Sequence, residues 1–260
     1  MKRMVIYIDG SPHDRDSLLC AARMSERLGA RLNVMHLRLP TANVDSVKRA
    51  ITIAERAQED AHRAFQDVCG ALPHAEWLGM DENVEDAIRR EGLLHDLTIL
   101  QRVSAEEGPE VFALNTALFD TGGPVLVTPP RAPNGVGDVA AVVWNRTVQS
   151  ARAVRSAIPL LREAKKVVIL TNSANPAADP AALASYLASY GIGTEHRAFD
   201  ARTLSARGRG RAILAACDEI GADLLVMGAY GENRLHAIFG LGRATQKVVS
   251  AARIPVFTQR

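Results

Sequence analysis

The sequence predicts an α/β protein made of two tandem, doubly wound open parallel sheets of five strands each. Short apolar runs alternate with helical patterns along all 260 residues. The alternation runs through twice. A stretch crowded with Pro, Gly and Asn, residues 129–137 (PPRAPNGVG), separates the two passes and reads as a linker. Strands that alternate with helices imply a parallel sheet with right-handed crossovers and a helix layer on each face. Strands that are apolar throughout fit burial on both faces.

In the first half, Met4–Ile8 is a short apolar strand ended by Asp9-Gly10. Asp14–Leu28 has helical spacing, with Leu18, Ala21, Ala22, Ser25 and Leu28 on one stripe, and Gly29 stands where a C-cap is expected. Leu32–Leu37 is a strand. Val44–Leu72 reads as a long helix stopped by Pro73, with a buried stripe of Ile51, Ala54, Ala57, Ala61 and Phe65. Ala75–Leu78 is a strand, Asn83–Arg90 a helix stopped by Gly92, Leu97–Leu100 a strand, Glu110–Phe119 a helix and Pro124–Val127 the last strand. In the second half, the strands are Val139–Trp144, Val167–Leu170, Thr194–Phe199, Leu224–Met227 and Pro255–Thr258. The helices between them are Gln149–Glu163, Pro180–Tyr190, Arg211–Ile220 and Ala244–Ala252.

Local echoes indicate duplication. His95-Asp96-Leu97-Thr98-Ile99-Leu100 parallels Ala222-Asp223-Leu224-Leu225-Val226-Met227, and Gly123-Pro124-Val125-Leu126-Val127 parallels Ile254-Pro255-Val256-Phe257-Thr258. The expected domains are residues 1–129 and 138–260.

Composition narrows the function classes. Lys+Arg 31 against Asp+Glu 29 leaves a net charge of +2, and aromatic residues are 5%. Neither supports a nucleic-acid partner. No apolar stretch approaches the roughly 20 residues of a membrane helix, and the opening MKRMVIYIDGSPHD is no signal peptide. No nucleic-acid or membrane partner and a cytoplasmic location are expected. Cys20, Cys69 and Cys217 are far apart and read as reduced buried thiols. No H-E-x-x-H pair occurs, so no metal site is expected.

In a doubly wound sheet, ligands bind beyond the carboxyl ends of the strands, at the switch point of strand order. Two loops matter. Asp9-Gly10-Ser11 places a carboxylate just past a buried strand, which serves either a ligand or the entry to a helix. The loop after Met227 begins Gly228-Ala229-Tyr230-Gly231 and ends Gly240-Leu241-Gly242-Arg243. Glycines at 228 and 231 let a backbone approach a ligand. Gly240 and Gly242 precede a helix whose free N–H groups favour an anion, and Arg243 adds positive charge. Arg202, Arg207, Arg209 and Arg211 form a basic loop ahead of a helix expected to start near Arg211.

With the VIYIDGS opening, the G-A-Y-G-E-N-R-L run and the G-P-V-L-V and I-P-V-F endings, the chain resembles the universal stress proteins in their tandem form, over nearly its whole length. The resemblance implies strand order 3-2-1-4-5 and the HUP, adenine nucleotide alpha-hydrolase-like fold. It implies a stress-response module, with an aspartate after the first strand near adenine and a G-x2-G-x9-G-[S/T] loop around ribose and phosphates. Asp9 matches that aspartate, with Gly10 and Ser11 beside it. The fourth strand of the first half, however, runs into Gln101-Arg102-Val103-Ser104-Ala105-Glu106-Glu107 and has no glycine pair, so this site reads as vestigial. In the second half Gly228 and Gly231 match, Gly242 comes one residue late, Arg243 replaces the hydroxyl, and Thr245 offers one slightly further on. Asn145 takes the aspartate position; an amide still offers adenine a donor and an acceptor.

The implied cofactor is ATP or AMP, bound weakly in the second half, with Mg accompanying ATP. The implied partners are the nucleotide, the two halves against each other through their last strands, and a second copy in a homodimer. The alternatives are the same fold acting through protein surfaces without nucleotide, or a slow ATP hydrolase. No P-loop and no G-x-S-x-G elbow is present, so no catalytic residue is assigned.

Overall fold

A computed structural model describes residues 1–38, 47–81, 83–102, 109–201, 204–229 and 243–260. The chain forms two compact units, Met1–Ala132 and Pro133–Arg260, which meet inside the Pro- and Gly-rich run.

The first unit contains β1 (Arg3–Ile8), α1 (Asp14–Leu28), β2 (Arg31–Leu37), α2 (Val47–Cys69), β3 (Ala75–Asp81), α3 (Val84–Gly92), β4 (Leu97–Gln101), α4 (Pro109–Asp120) and β5 (Val125–Thr128). Its strands pair in parallel in the order β3-β2-β1-β4-β5. The second unit contains β6 (Val139–Val143), α5 (Val148–Arg162), β7 (Lys166–Asn172), α6 (Pro180–Ala188), β8 (Glu195–Phe199), α7 (Ala206–Glu219), β9 (Leu224–Gly228), α8 (Arg243–Ala251) and β10 (Val256–Gln259). Its order, β8-β7-β6-β9-β10, is again 3-2-1-4-5 and all parallel.

The central strands are buried except at their ends, as their apolar sequences require. Met4, Ile6, Leu32, Leu97, Ile99 and Leu126 are fully covered in the first unit, and Ala141, Val168, Leu170, Leu225 and Val248 in the second. Each large apolar side chain of this kind contributes about 1.5–3 kcal/mol relative to an exposed one.

The echoed Asp96 and Asp223 do the same job. Asp96 Oδ2 accepts the backbone N–H of Lys2 (2.6 Å) and Arg3 (3.0 Å). Asp223 accepts those of Asp138 (3.1 Å) and Val139 (2.8 Å). In both units an aspartate ahead of the fourth strand pins the start of the first.

Several expected boundaries change. The buried stripe of α2 begins only at Ala61 and Phe65; Ile51 is 51% exposed, and Ala54 and Ala57 are half-buried. Residues 44–46 of the expected helix lie outside the described ones. The linker run is not wholly free of core either, since Val136 is buried. Helix α7 starts at Ala206, so Arg207, Arg209 and Arg211 lie inside it rather than before it; Arg202 lies outside the described residues. Gly208 and Gly210 weaken helix propensity, but packing overrides it. A Cβ on Gly210 would stand 2.9 Å from the Ala244 carbonyl oxygen of α8.

Candidate functional site

In each unit the first strand lies between the second and the fourth, so the switch point is at the carboxyl ends of β1 and β4 and of β6 and β9.

In the first unit the corner is filled by the chain's own groups. Asp9 Oδ1 accepts the Ser11 N–H at 3.0 Å, closing an Asx turn. Gly10 lies at φ 83°, and a Cβ there would stand 2.3 Å from the Ala57 carbonyl oxygen in α2. Both facts restrict the position to glycine. Asp14, the first residue of α1, is 1% exposed. It accepts the backbone N–H of Asp9 (3.3 Å) and Gly10 (2.8 Å), capping the turn that enters the helix.

Gln101, the last residue of β4, completes the arrangement. Its Nε2 donates to Asp14 Oδ1 and, at 3.4 Å, to Asp9 Oδ1, while its Oε1 accepts the Ser11 hydroxyl at 3.1 Å. Beside it is a cavity of about 40 Å³, lined among others by Tyr7, Ile8, Asp9, Leu100, Gln101 and Glu110.

The electrostatics of this corner are unusual. Burial, and then the charge of Asp9, push the Asp14 carboxyl up to about 7; the three N–H donors pull the other way and only partly offset this. On β2, His36 is 1% exposed, and neither ring nitrogen has a well-formed hydrogen bond. Burial lowers its pKa; the nearby backbone and carboxylate of Asp9 favour the charged ring but are outweighed.

The second unit repeats the backbone with other side chains. Asn145 Oδ1 accepts from Thr147 Oγ1 (2.8 Å) and Thr147 N (3.3 Å), again an Asx turn. Arg146 occupies the left-handed region at φ 60°, where the first unit has Gly10. Thr147 and Ser150 form a reciprocal capping box that starts α5.

The place of Gln101 is taken by Gly228. A Cβ there would stand 2.6 Å from the Ser150 nitrogen and 2.7 Å from the Gln149 carbonyl carbon. The missing side chain therefore admits the N-terminus of α5. Asn145 is exposed, and its Nδ2 makes no hydrogen bond among the described residues.

The remaining sequence candidates are not brought together in the described structure. Gly231, Gly240 and Gly242 lie outside the described residues. Arg243 opens α8, and Thr245 is buried on the same helix. Ser205 caps α7 by accepting the Gly208 N–H at 3.1 Å, and Arg209 Nη1 donates to the Leu204 carbonyl oxygen at 3.1 Å. That bond answers the arginine's charge near a helix start with a local acceptor.

Sequence reasoning missed Asp14, Gln101 and His36. The available signal was a polar residue closing an otherwise apolar strand, Leu97-Thr98-Ile99-Leu100-Gln101. No helix among the described residues is long and apolar enough to cross a membrane. No group of three or more His, Cys, Asp or Glu among them has the placing to hold a metal ion. The three thiols are buried, and burial pushes Cys20 and Cys217 up to about 12 and Cys69 to about 11.

Comparison with known proteins places the second unit. Residues 141–260 match the model of the Universal stress protein family. No curated protein matches the sequence significantly. Among solved structures, a universal stress protein from Archaeoglobus fulgidus DSM 4304 is 18% identical, with a TM-score of 0.75 over 99% of this chain and 98% of that one. A candidate universal stress protein from Pseudomonas aeruginosa UCBPP-PA14 is 14% identical, with a TM-score of 0.60 over 100% and 93%. The cytoplasmic domain of a prokaryotic cation chloride cotransporter is 13% identical, with a TM-score of 0.50 over 99% and 94%. At these identities the likeness is one of fold, and the same fold serves different proteins.

Proposed function

We propose that the chain is a tandem universal stress protein, a non-catalytic regulatory module that takes ATP or AMP weakly in its second unit. The first unit serves as its structural partner.

The supporting observation is the contrast at the end of the fourth strand. Gln101 fills the first corner with its own amide, which bonds Asp9, Ser11 and Asp14. The second corner has Gly228 there and an exposed Asn145 beside it. Asn145 Nδ2 is available to donate to a base, and the family match falls on this unit. Gly231, Gly240, Gly242 and Arg243 are the proposed ribose and phosphate contacts, with Mg accompanying ATP. Thr245 is the proposed source of the hydroxyl, from a buried position on α8.

Titration with ATP, ADP and AMP, followed by native mass spectrometry, tests this. One nucleotide per chain is expected. Asn145→Ala should weaken binding by about 1–2 kcal/mol, and Gly231→Val should abolish it. Binding unchanged in both variants would put the site elsewhere.

A second reading is favoured by one observation. Asn145 Oδ1 already serves Thr147, and the space at Gly228 already serves α5. On that reading no nucleotide binds, and the module acts through protein surfaces, including a homodimer. Absence of any adduct at millimolar nucleotide would select it.

A further inference from the structure

The first unit's corner contains an arrangement that its structural role does not require. Two carboxylates, Asp9 and Asp14, share one amide donor, Gln101 Nε2. Asp14 is almost wholly buried, and Asp9 is half-buried against the cavity. The turn between them cannot move away as a whole, because Gly10 is pressed against the backbone of α2.

We propose that the buried Asp14, which shares the Gln101 amide with Asp9, takes up and releases a proton, so that the turn from Asp9 to Asp14 is a proton-responsive latch. With Asp14 protonated, the turn is closed on Gln101. When both carboxylates ionise, two negative charges compete for one amide in a poorly hydrated place, where like charges repel strongly. Asp14 is anchored by two backbone N–H groups, so Asp9 is the one that moves. The adjoining cavity of about 40 Å³ is the space beside it. Ser11 N–H then loses its acceptor, and the entry to α1 loosens.

Among the described residues, no cation offsets the charge at Asp14. His36 faces it from β2, and burial opposes its protonation. Arg38, on the same stretch, acts on His36. Glu110 lines the cavity from α4, and α2 presents the backbone of Ala57. Burial first, and the charge of Asp9 second, raise the Asp14 carboxyl.

Carboxyl carbon NMR of the whole protein from pH 3 to 9 tests the latch. One aspartate should titrate near pH 7, about three pH units above an ordinary one. The Ser11 amide resonance should follow the same midpoint. Asp9→Asn keeps the oxygen that accepts from Ser11 but removes the charge, so the Asp14 midpoint should fall by at least one pH unit. Two results would each overturn the proposal: every aspartate titrating below about pH 5, or a high midpoint unmoved by Asp9→Asn.

Urea unfolding provides a second measurement. The folded-state value lies above the unfolded 3.8, so this group's contribution to stability is greatest below about pH 4 and declines as pH rises to about 7. His36 has the opposite slope up to 6.5, but it is common to the wild type and Asp14→Asn. The difference between their midpoint profiles should therefore slope across pH 4–7, and parallel profiles would also refute the latch.

Discussion

The two units turn the same corner with different material. Asp9-Gly10-Ser11 and Asn145-Arg146-Thr147 are both Asx turns with a left-handed middle residue, and each sits at the end of a first strand. In the first unit the middle residue must be glycine because α2 lies against it. In the second it is an exposed arginine; the helix after β7, α6, has nine residues where α2 has 23. The first corner is then closed from the sheet side by Gln101. In the second, Gly228 stands at that position, and among the described residues it is α5 that moves in. The comparison teaches that turn geometry belongs to the fold, whereas occupancy of the corner depends on the residue ending the fourth strand.

Substitutions sharpen that contrast. The largest effect is expected for Gly10→Ala. It forces a side chain into the left-handed region and onto the Ala57 carbonyl, and chemical denaturation should show a loss of about 2–5 kcal/mol. Gly228→Ala is next. Its Cβ meets backbone of α5 at 2.6 Å, and a loss of about 1–3 kcal/mol is expected. No loss there would mean the α5 N-terminus yields freely, leaving the glycine for a ligand.

Asp96→Ala and Asp223→Ala each strand two backbone donors, and each should lose about 1–3 kcal/mol in thermal or urea unfolding. Unequal losses would break the equivalence of the two units. For Asp96, burial pulls its pKa up, but backbone donors and nearby positive charge outweigh it and hold the value below 3.8. Its contribution is therefore present above about pH 4 and is lost as pH falls through the lower folded value. The smallest effect is expected for Arg146→Gly. Relief of the positive φ is nearly offset by glycine's entropy, so the gain should be under about 1 kcal/mol.

Much of the architecture was legible in the residues. Apolar runs such as Met4–Ile8 and Leu224–Met227 marked the strands because burial on both faces favours apolar residues. Asp96 and Asp223 were visible as an echo, although not as clamps, because the strand they bind is remote in sequence. The candidate site was legible only in part. Asp9 and Asn145 stood out by position, whereas Asp14 looked like an ordinary acid at a helix start, and Gln101 looked like the end of a strand.

By itself, the sequence determined the periodicity: which segments become strands and helices, their parallel alternation, and the repetition of the whole. These follow from local spacing of apolar residues and from turn chemistry, both written in consecutive positions. Only the tertiary structure decided that Gln101 reaches Asp9, Ser11 and Asp14, that Ala57 bears on Gly10, and that Gly228 makes way for Ser150. Those contacts join residues dozens of positions apart. Their energies depend on burial and on distances of a few ångströms, which exist only once the strands are laid side by side.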